Sequence, residues 1–228
     1  MVCSTKRITV VLAASLLSRS VTFNVFTELQ DYTLINGAIE NIPQEIKVRI
    51  WTRDLIDKTK LRRQNCEVFF IPCITLSWVQ KMRMCARLAR EGQEPWFGYA
   101  HDDATISSED FNKLIEARKT VNENTYWIVT NNPKHPEINA DIYAVINTKN
   151  YWAIGGHDEN FHMYYADIDF HLRQAQNGKG QIGVCTPSTT HIGSAVLKKL
   201  EGIQSVYYKL MLEKDKSYFK AKHPSFDI

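Results

Sequence analysis

The chain lacks the cysteine spacing of a zinc module or a disulfide scaffold. Its five cysteines, Cys3, Cys66, Cys73, Cys85 and Cys185, are scattered and odd in number. This pattern points to reduced thiols in a cytosol rather than to a secreted framework. No apolar run approaches the length of a transmembrane helix. Charge of either sign is in small excess: the net value is +3 and dispersed, too little to argue for a nucleic-acid partner. There is no internal repeat, no low-complexity tract and no long linker. Asn131-Asn132-Pro133-Lys134-His135-Pro136 is a turn-rich loop, not a domain boundary.

What remains is ordinary globular material. Hydrophobic residues make up 44% and charged residues 23% of 228 positions, enough for one sizeable α/β domain. The chain reads as a single domain over 1–228, with 199–228 as a helical and basic carboxyl-terminal tail. In that tail Tyr207, Tyr208, Tyr218 and Phe219 alternate with lysines. The simplest fate of such a tail is packing back on the domain; closing over an anionic diphosphate and weak peripheral attachment to an anionic membrane are the alternatives.

At the amino terminus Lys6-Arg7 and Ile8-Thr9-Val10-Val11-Leu12-Ala13-Ala14 imitate a secretion signal. The apolar run is short and no clean small-x-small cleavage site follows it. The expectation is therefore a retained central first strand, Ile8–Ala13, running into a loop at 15–20, in a cytoplasmic protein.

Further strands are expected at Ile46–Trp51, Val68–Ile71, Trp96–Ala100, Tyr126–Thr130, Tyr143–Asn147 and Gln181–Cys185. A helix over Trp78–Arg90 carries Trp78, Met82, Cys85, Ala86 and Ala89 on one face, with Ser77 as cap and Gly92 as stop. Its Lys81, Arg83, Arg87 and Arg90 read as a solvated face from which one cation reaches a phosphate at most. A second helix over Asp110–Thr120 follows Ser107, whose spacing to Asp110 resembles a capping box. Strands alternating with helices argue for a mostly parallel sheet covered on both faces, with ligands outside the carboxyl ends of its strands.

Three segments carry chemistry. In Trp96-Phe97-Gly98-Tyr99-Ala100-His101-Asp102-Asp103 an aromatic, β-prone run ends in adjacent carboxylates. Carboxylates so placed repel each other unless a cation or a hydrogen-bond network offsets the charge, and hard divalent ions such as Mg²⁺ or Mn²⁺ choose such oxygens. A solvated turn with Asp as cap is the plain alternative. The stretch Gly155-Gly156 to Arg173 packs four carboxylates and three histidines behind a glycine turn. Phe161, Tyr164, Tyr165, Ile168 and Leu172 recur there at helical spacing, so that Asp167 would be held beside the turn as a candidate general base. The plain alternative is an acidic helix start capped by Asp158. Thr189-Thr190-His191-Ile192-Gly193-Ser194 sets a histidine before a Gly-Ser turn, a weak signal by itself.

In series, from about Trp96 to Ser194, these segments resemble the inverting glycosyltransferases of family 2 with the GT-A fold. Those enzymes combine an Asp-x-Asp-type strand end, a Gly-Gly-x-Asp-Glu-x-Phe motif running into Asp-x-Asp-Phe-x-x-Arg, and His-x-Gly-Ser. The resemblance implies Asp103 and His191 as ligands of a Mn²⁺ or Mg²⁺ on the donor diphosphate, and Asp102 against the donor sugar or ribose. It implies Asp167 as catalytic base, with Gly155, Gly156, Asp169 and Arg173 supporting the base loop. His101 stands at the donor-binding position where the motif usually begins with Asp, and Ala166 replaces a usual Glu. The early Pro-Thr-Tyr-Asn-type loop is not matched. For the donor base the candidates are Trp51, to stack on a uracil face, and Asp54 or Arg53 at the base edge; a half-buried aromatic at a strand end is the plain and commoner alternative.

The function implied is inverting transfer of a hexose from a nucleoside-diphosphate sugar, a UDP-sugar foremost, to a glycan or other acceptor hydroxyl. A nucleotide-sugar or glycan-binding module without turnover is the alternative, for which His101 and Ala166 speak. A nucleotidyltransferase would want a glycine-rich basic loop after the first strand, and Ala13–Arg19 holds no glycine.

Overall fold

Asn24 sits in the middle of an otherwise apolar strand, β1 (Thr22–Thr27), all six residues of which are buried. Its side chain accepts the Trp51 indole N–H at 3.0 Å and donates to the Gly98 carbonyl at 2.9 Å, so the polar group is satisfied from the neighbouring strands. The structure is a computed structural model that describes residues 21–27, 30–52, 55–70, 77–134, 142–192 and 203–226. The expected strand Ile8–Ala13 and loop 15–20, together with Arg53, Asp54, Gly193 and Ser194, lie outside the described residues. A central place in the sheet, as anticipated for Ile8–Ala13, is held by β1. A central polar residue disguises β1 in one dimension, because its shortest bonds are to other strands, beside one of 3.3 Å to the Thr22 carbonyl of its own.

The remaining elements are α1 (Tyr32–Ile39), β2 (Lys47–Thr52), β3 (Cys66–Phe70), α2 (Trp78–Glu91), β4 (Trp96–His101), β5 (Ala104–Thr105), α3 (Ser108–Ala117), β6 (Thr125–Asn131), β7 (Tyr143–Asn147), α4 (Thr148–Ala153), α5 (Ala166–Gln176), β8 (Gly180–Cys185), β9 (Thr190–His191) and α6 (Ile203–Lys222). Seven strands form one sheet in the order β3-β2-β1-β4-β7-β6-β8. β7 alone runs against its neighbours, β4 and β6; the other pairings are parallel. β5 and β9 make a separate antiparallel pair.

Side-chain alternation sorts the strands onto two cores. Val25, Val48, Ile50, Ile128 and Val145 pack under α1 and α3 with Ile35, Ile39, Phe111 and Leu114. Phe26, Trp51, Phe97, Trp127 and Ile146 pack under α2, α4 and α5 with Met82, Cys85, Tyr151 and Phe170. The expected solvated face of α2 is therefore corrected at two positions, Lys81 and Arg83, the latter half-buried and drawn to the Gly155 and His157 carbonyls. Lys81 is buried, its ammonium 5.8 Å from the Phe26 ring centroid, because its stem lies on the second core. Arg87 and Arg90 are exposed, as expected. α2 starts in a complete capping box between Ser77 and Gln80 and stops at Gly92. α6 packs back on the domain, with Phe219 buried against Phe161, Ala166 and Val79. Among the described residues no helix is long and apolar enough to cross a membrane.

Candidate active site

The carboxyl end of β4 delivers His101, Asp102 and Asp103 into a tight turn before β5, and both aspartates are buried. Taking carboxylates out of water is costly unless partners compensate. For Asp103 the β5–β9 pair supplies one by setting Ala104 opposite His191, a pairing extended by the Ile192 amide, which donates to the Asp103 backbone carbonyl at 3.0 Å. His191 Nε2 then lies 3.0 Å from Asp103 Oδ1, and His101 Nδ1 lies 3.8 Å from the same oxygen. One ligand atom from each of the three residues falls within 4.8 Å of the others.

His191 Nε2 is buried and makes no directed hydrogen bond, although it stands close to the carboxylate. A nitrogen and an oxygen that approach without pointing at each other are arranged as ligands of a common cation are. The histidine and carboxylate donors fit a divalent metal. His101, assigned from sequence to the donor, thus stands among the candidate metal ligands, with its ring 5.2 Å from that of His191.

His191 owes its place to groups that no local motif announces. The Asp110 carboxylate on α3 accepts the Ser188 amide at 2.9 Å and its hydroxyl at 2.6 Å, and Ser107 N–H donates to Ser188 Oγ at 3.0 Å. On the other side Asn132 donates to the Thr189 carbonyl at 2.8 Å. Burial pushes the Asp110 carboxyl up, but bonds from Lys113 and Ser188 outweigh it and hold it below the usual range. The Ser107–Asp110 spacing does yield a cap, since Ser107 Oγ accepts the Asp110 amide. The aspartate side chain turns to Ser188 instead of closing the box.

The Gly155-Gly156 turn is held through its carbonyls. Arg83 donates to the Gly155 and His157 carbonyls at 2.5 and 2.8 Å, and Arg173 to those of Ile154 and Gly156 at 3.0 and 2.8 Å. Arg173 also pairs with buried Asp169 at 2.8 Å. His157 is fully buried, stacked on Phe170 and within bonding distance of the Tyr151 hydroxyl at 3.1 Å. Burial first, then the nearby His171, Arg173 and Arg83, pushes this imidazole well below the usual histidine range, so it is neutral. A cavity of about 270 Å³ opens beside the turn, where Arg83, Arg173 and Lys222 face Asp158 and Glu159. Its cations are engaged with Glu159, Asp169 and Asp158, so it is charge-balanced rather than an anion site.

Asp167 stands half-buried in the first turn of α5. The helix does not begin at the glycine turn, as the apolar spacing from Phe161 suggested, and Asp158 does not cap it. Residues 162–165 bend, Tyr165 takes a left-handed φ of 60°, and α5 starts at Ala166 without a side-chain cap. The physical reason is Asp215 on α6, whose carboxylate draws off the amides of His162, Met163 and Tyr164. Asp158 instead receives Lys222 at 2.6 Å and the Tyr218 hydroxyl at 3.0 Å. Asp215, Lys222 and His223 were invisible to motif reading because they lie in an unremarkable lysine-rich tail.

Trp51 does not fit a base-stacking role. It is 1% exposed, stacked on Phe69 at 4.7 Å, with its N–H given to Asn24. The second-strand position that sequence offered for a nucleobase is part of the core, because both faces of the sheet are covered and Trp51 packs in the core under α2.

No family model matches the chain, and no curated protein sequence does. Solved structures do. The glucosyl-3-phosphoglycerate synthase of Mycobacterium tuberculosis in complex with Mn²⁺, UDP and glucosyl-3-phosphoglycerate has a TM-score of 0.57 at 9% identity, covering 97% of this chain and 86% of that one. The complex of that enzyme with Mn²⁺, UDP-glucose and phosphoglyceric acid has a TM-score of 0.56 at 9% identity, covering 92% and 82%. Its complex with Mg²⁺ and UDP has a TM-score of 0.53 at 9% identity, covering 95% and 85%. At this identity the likeness establishes the architecture: the chain has the GT-A fold.

Proposed function

We propose that the protein transfers a hexose from a nucleoside-diphosphate sugar, a UDP-sugar, to a carbohydrate or other acceptor hydroxyl, with inversion at the anomeric carbon. The observation that carries this reading is the His101–Asp103–His191 cluster at the carboxyl end of β4 in a GT-A sheet. Its support is the kind of ligand named for the similar structures, UDP-glucose with Mn²⁺ or UDP with Mg²⁺.

Asp103 and His191, with His101 as third donor, would hold a divalent ion, whose chemistry is to neutralise charge on the departing diphosphate. Two imidazoles beside one carboxylate favour Mn²⁺ over Mg²⁺, since nitrogen ligands suit transition ions better. Asp102, buried at the same turn, faces the donor sugar or ribose.

Asp167 takes the acceptor proton while the acceptor oxygen bonds to the anomeric carbon and the carbon–oxygen bond to the diphosphate breaks on the opposite face. A carboxylate with an ordinary pKa of about 3.9 is a weak base at neutral pH, so the proton moves late, as the attacking oxygen acidifies. The two Arg-held carbonyl pairs of the glycine turn and the Asp169–Arg173 pair keep the base loop rigid.

Two observations favour turnover over a silent binding module: Ala166 is fully buried in the cluster with Phe161 and Phe219, and the His101 imidazole comes within reach of Asp103 and His191. The test is a nucleotide-sugar screen by UDP release with Mn²⁺, paired with Asp167→Asn. Loss of a general base costs about 10²–10⁴ in turnover, with UDP–Mn²⁺ affinity unchanged. A variant that keeps parental turnover removes Asp167 from the base role.

A further inference from the structure

The transfer chemistry leaves one fully buried carboxylate unused, Asp215 of α6. Its oxygens accept the His162 amide at 3.0 and 3.1 Å and the Met163 and Tyr164 amides at 2.9 Å each. His162 Nδ1 stands 3.3 Å away. Three consecutive N–H groups turned onto one anion form a nest of the kind that binds phosphates and carboxylates elsewhere; here the anion comes from the same chain, some fifty residues on. Charge-assisted bonds of this kind are about twice as strong as neutral ones.

The bound amides belong to the residues that lead into Asp167. On the far side of Asp167, α6 and the residue after it reach Asp169 through Lys222 Nζ at 2.7 Å and His223 Nε2 at 2.9 Å. Between these anchors the Phe219 ring lies 5.4 Å from that of Tyr165. The backbone carrying Asp167 is therefore tied to α6 both before and after that residue.

We propose that Asp215 is a positioning residue: it fixes the backbone of 162–164 and thereby aims Asp167 at the acceptor, without touching substrate. The inference rests on the glycosyl-transfer reading above and on Asp167 as its base. An uncharged isostere does not replace Asp215. Oδ2 takes the Met163 and Tyr164 amides, so the one oxygen of an Asn can keep these, but without charge, and its NH₂ in the place of Oδ1 would face the His162 amide N–H; Asp215→Asn thus keeps the volume and weakens the nest.

The experiment uses the full chain and three readouts on Asp215→Asn: amide hydrogen exchange, UDP–Mn²⁺ affinity by calorimetry, and kcat against KM for UDP-sugar turnover. Exchange at 162–164 should accelerate about tenfold or more, as local opening becomes cheaper. UDP–Mn²⁺ affinity should stay within about threefold of the parent while kcat falls about 10–100-fold, since a misplacement near 1 Å costs about that much. Unchanged exchange, an unchanged kcat, or nucleotide affinity falling in step with kcat would each overturn the proposal, the last by showing a general loss of structure.

Should Asp215→Asn not fold, exchange in the parent decides. Amides 162–164 as slow as those of β1 support the nest, and amides as fast as the exposed turn at 122–124 overturn it. His223→Gln then reads the other anchor, with the same split between kcat and nucleotide affinity expected and a proportional loss of both refuting it. If the parent turns over no nucleotide sugar, the glycosyl-transfer reading fails, while the exchange comparison still judges Asp215.

Discussion

The two glycines of the Gly155-Gly156 turn look equivalent in sequence and are unequal in the structure, which makes them a sharp test. Both have left-handed backbones, with φ of 79° and 74°. A Cβ built on Gly155 meets nothing within 4 Å, whereas one on Gly156 falls 2.5 Å from Tyr151 Cε1 and 2.9 Å from Cζ. The left-handed conformation costs an L-residue about 1–2 kcal/mol, offset by about 0.4–1 kcal/mol from a less flexible unfolded chain. Gly155→Ala should therefore lose about 1 kcal/mol. Gly156→Ala adds about 1–3 kcal/mol of overpacking, and about 0.5–1.5 kcal/mol more if Tyr151 swings off His157. Its expected loss is about 3 kcal/mol, a large part of a typical stability of about 5–15 kcal/mol. With a urea m-value of about 2–3 kcal/mol/M for a chain of this size, the two midpoints should differ by about 1 M. Equal midpoints, or a Gly155→Ala variant as damaged as Gly156→Ala, would refute the reasoning about Tyr151.

Three further outcomes can be checked directly. Saturating Mn²⁺ at about 100 times its Kd should stabilise the protein by about 2.7 kcal/mol, an increase in Tm of about 5–10 °C at this size; chelator should reverse it, Mg²⁺ should act more weakly, and a His191→Ala variant that keeps the full shift would remove His191 from the site. Burial raises the Asp158 carboxyl, but Lys222, the Asn160 amide and Tyr218 outweigh it and bring it from 3.8 to about 2. Because the folded value is depressed, this stabilisation is complete above about pH 4 and lost as pH falls through about 2, amounting to about 1–2 kcal/mol after screening; in acid melts Lys222→Met should lose less than the parent, and equal acid sensitivity would count against the pairing. Trp51→Phe strands the Asn24 carbonyl oxygen at a cost of about 1–3 kcal/mol and should leave UDP affinity within about twofold; a large affinity loss in a folded variant would restore Trp51 to the donor site.

Periodicity and composition by themselves settled most of the scaffold. The strands at Tyr143–Asn147 and Trp96–His101, and helix α2 with its Ser77 cap and Gly92 stop, follow from local preferences that tertiary contacts reinforce. The Asp102-Asp103 pair at a strand end was legible for the same reason, since adjacent carboxylates after a β-prone aromatic run carry their own electrostatic argument. What escaped depends on partners distant in sequence. β1 was obscured because the strongest bonds of Asn24 go to Trp51 and to the Gly98 carbonyl of a strand more than seventy residues away, beside a longer one to Thr22 in its own strand. Trp51 is buried because helices cover both faces of the sheet, which a single strand cannot show. His101 meets the candidate metal ligands only through the β5–β9 pairing that brings His191 across. The start of α5 moved to Ala166 because a carboxylate from α6 takes the amides an earlier helix would have used. Local sequence determines which conformations a segment favours; the tertiary structure decides which of its polar groups find partners, and that choice places the histidines, the turn and Asp167.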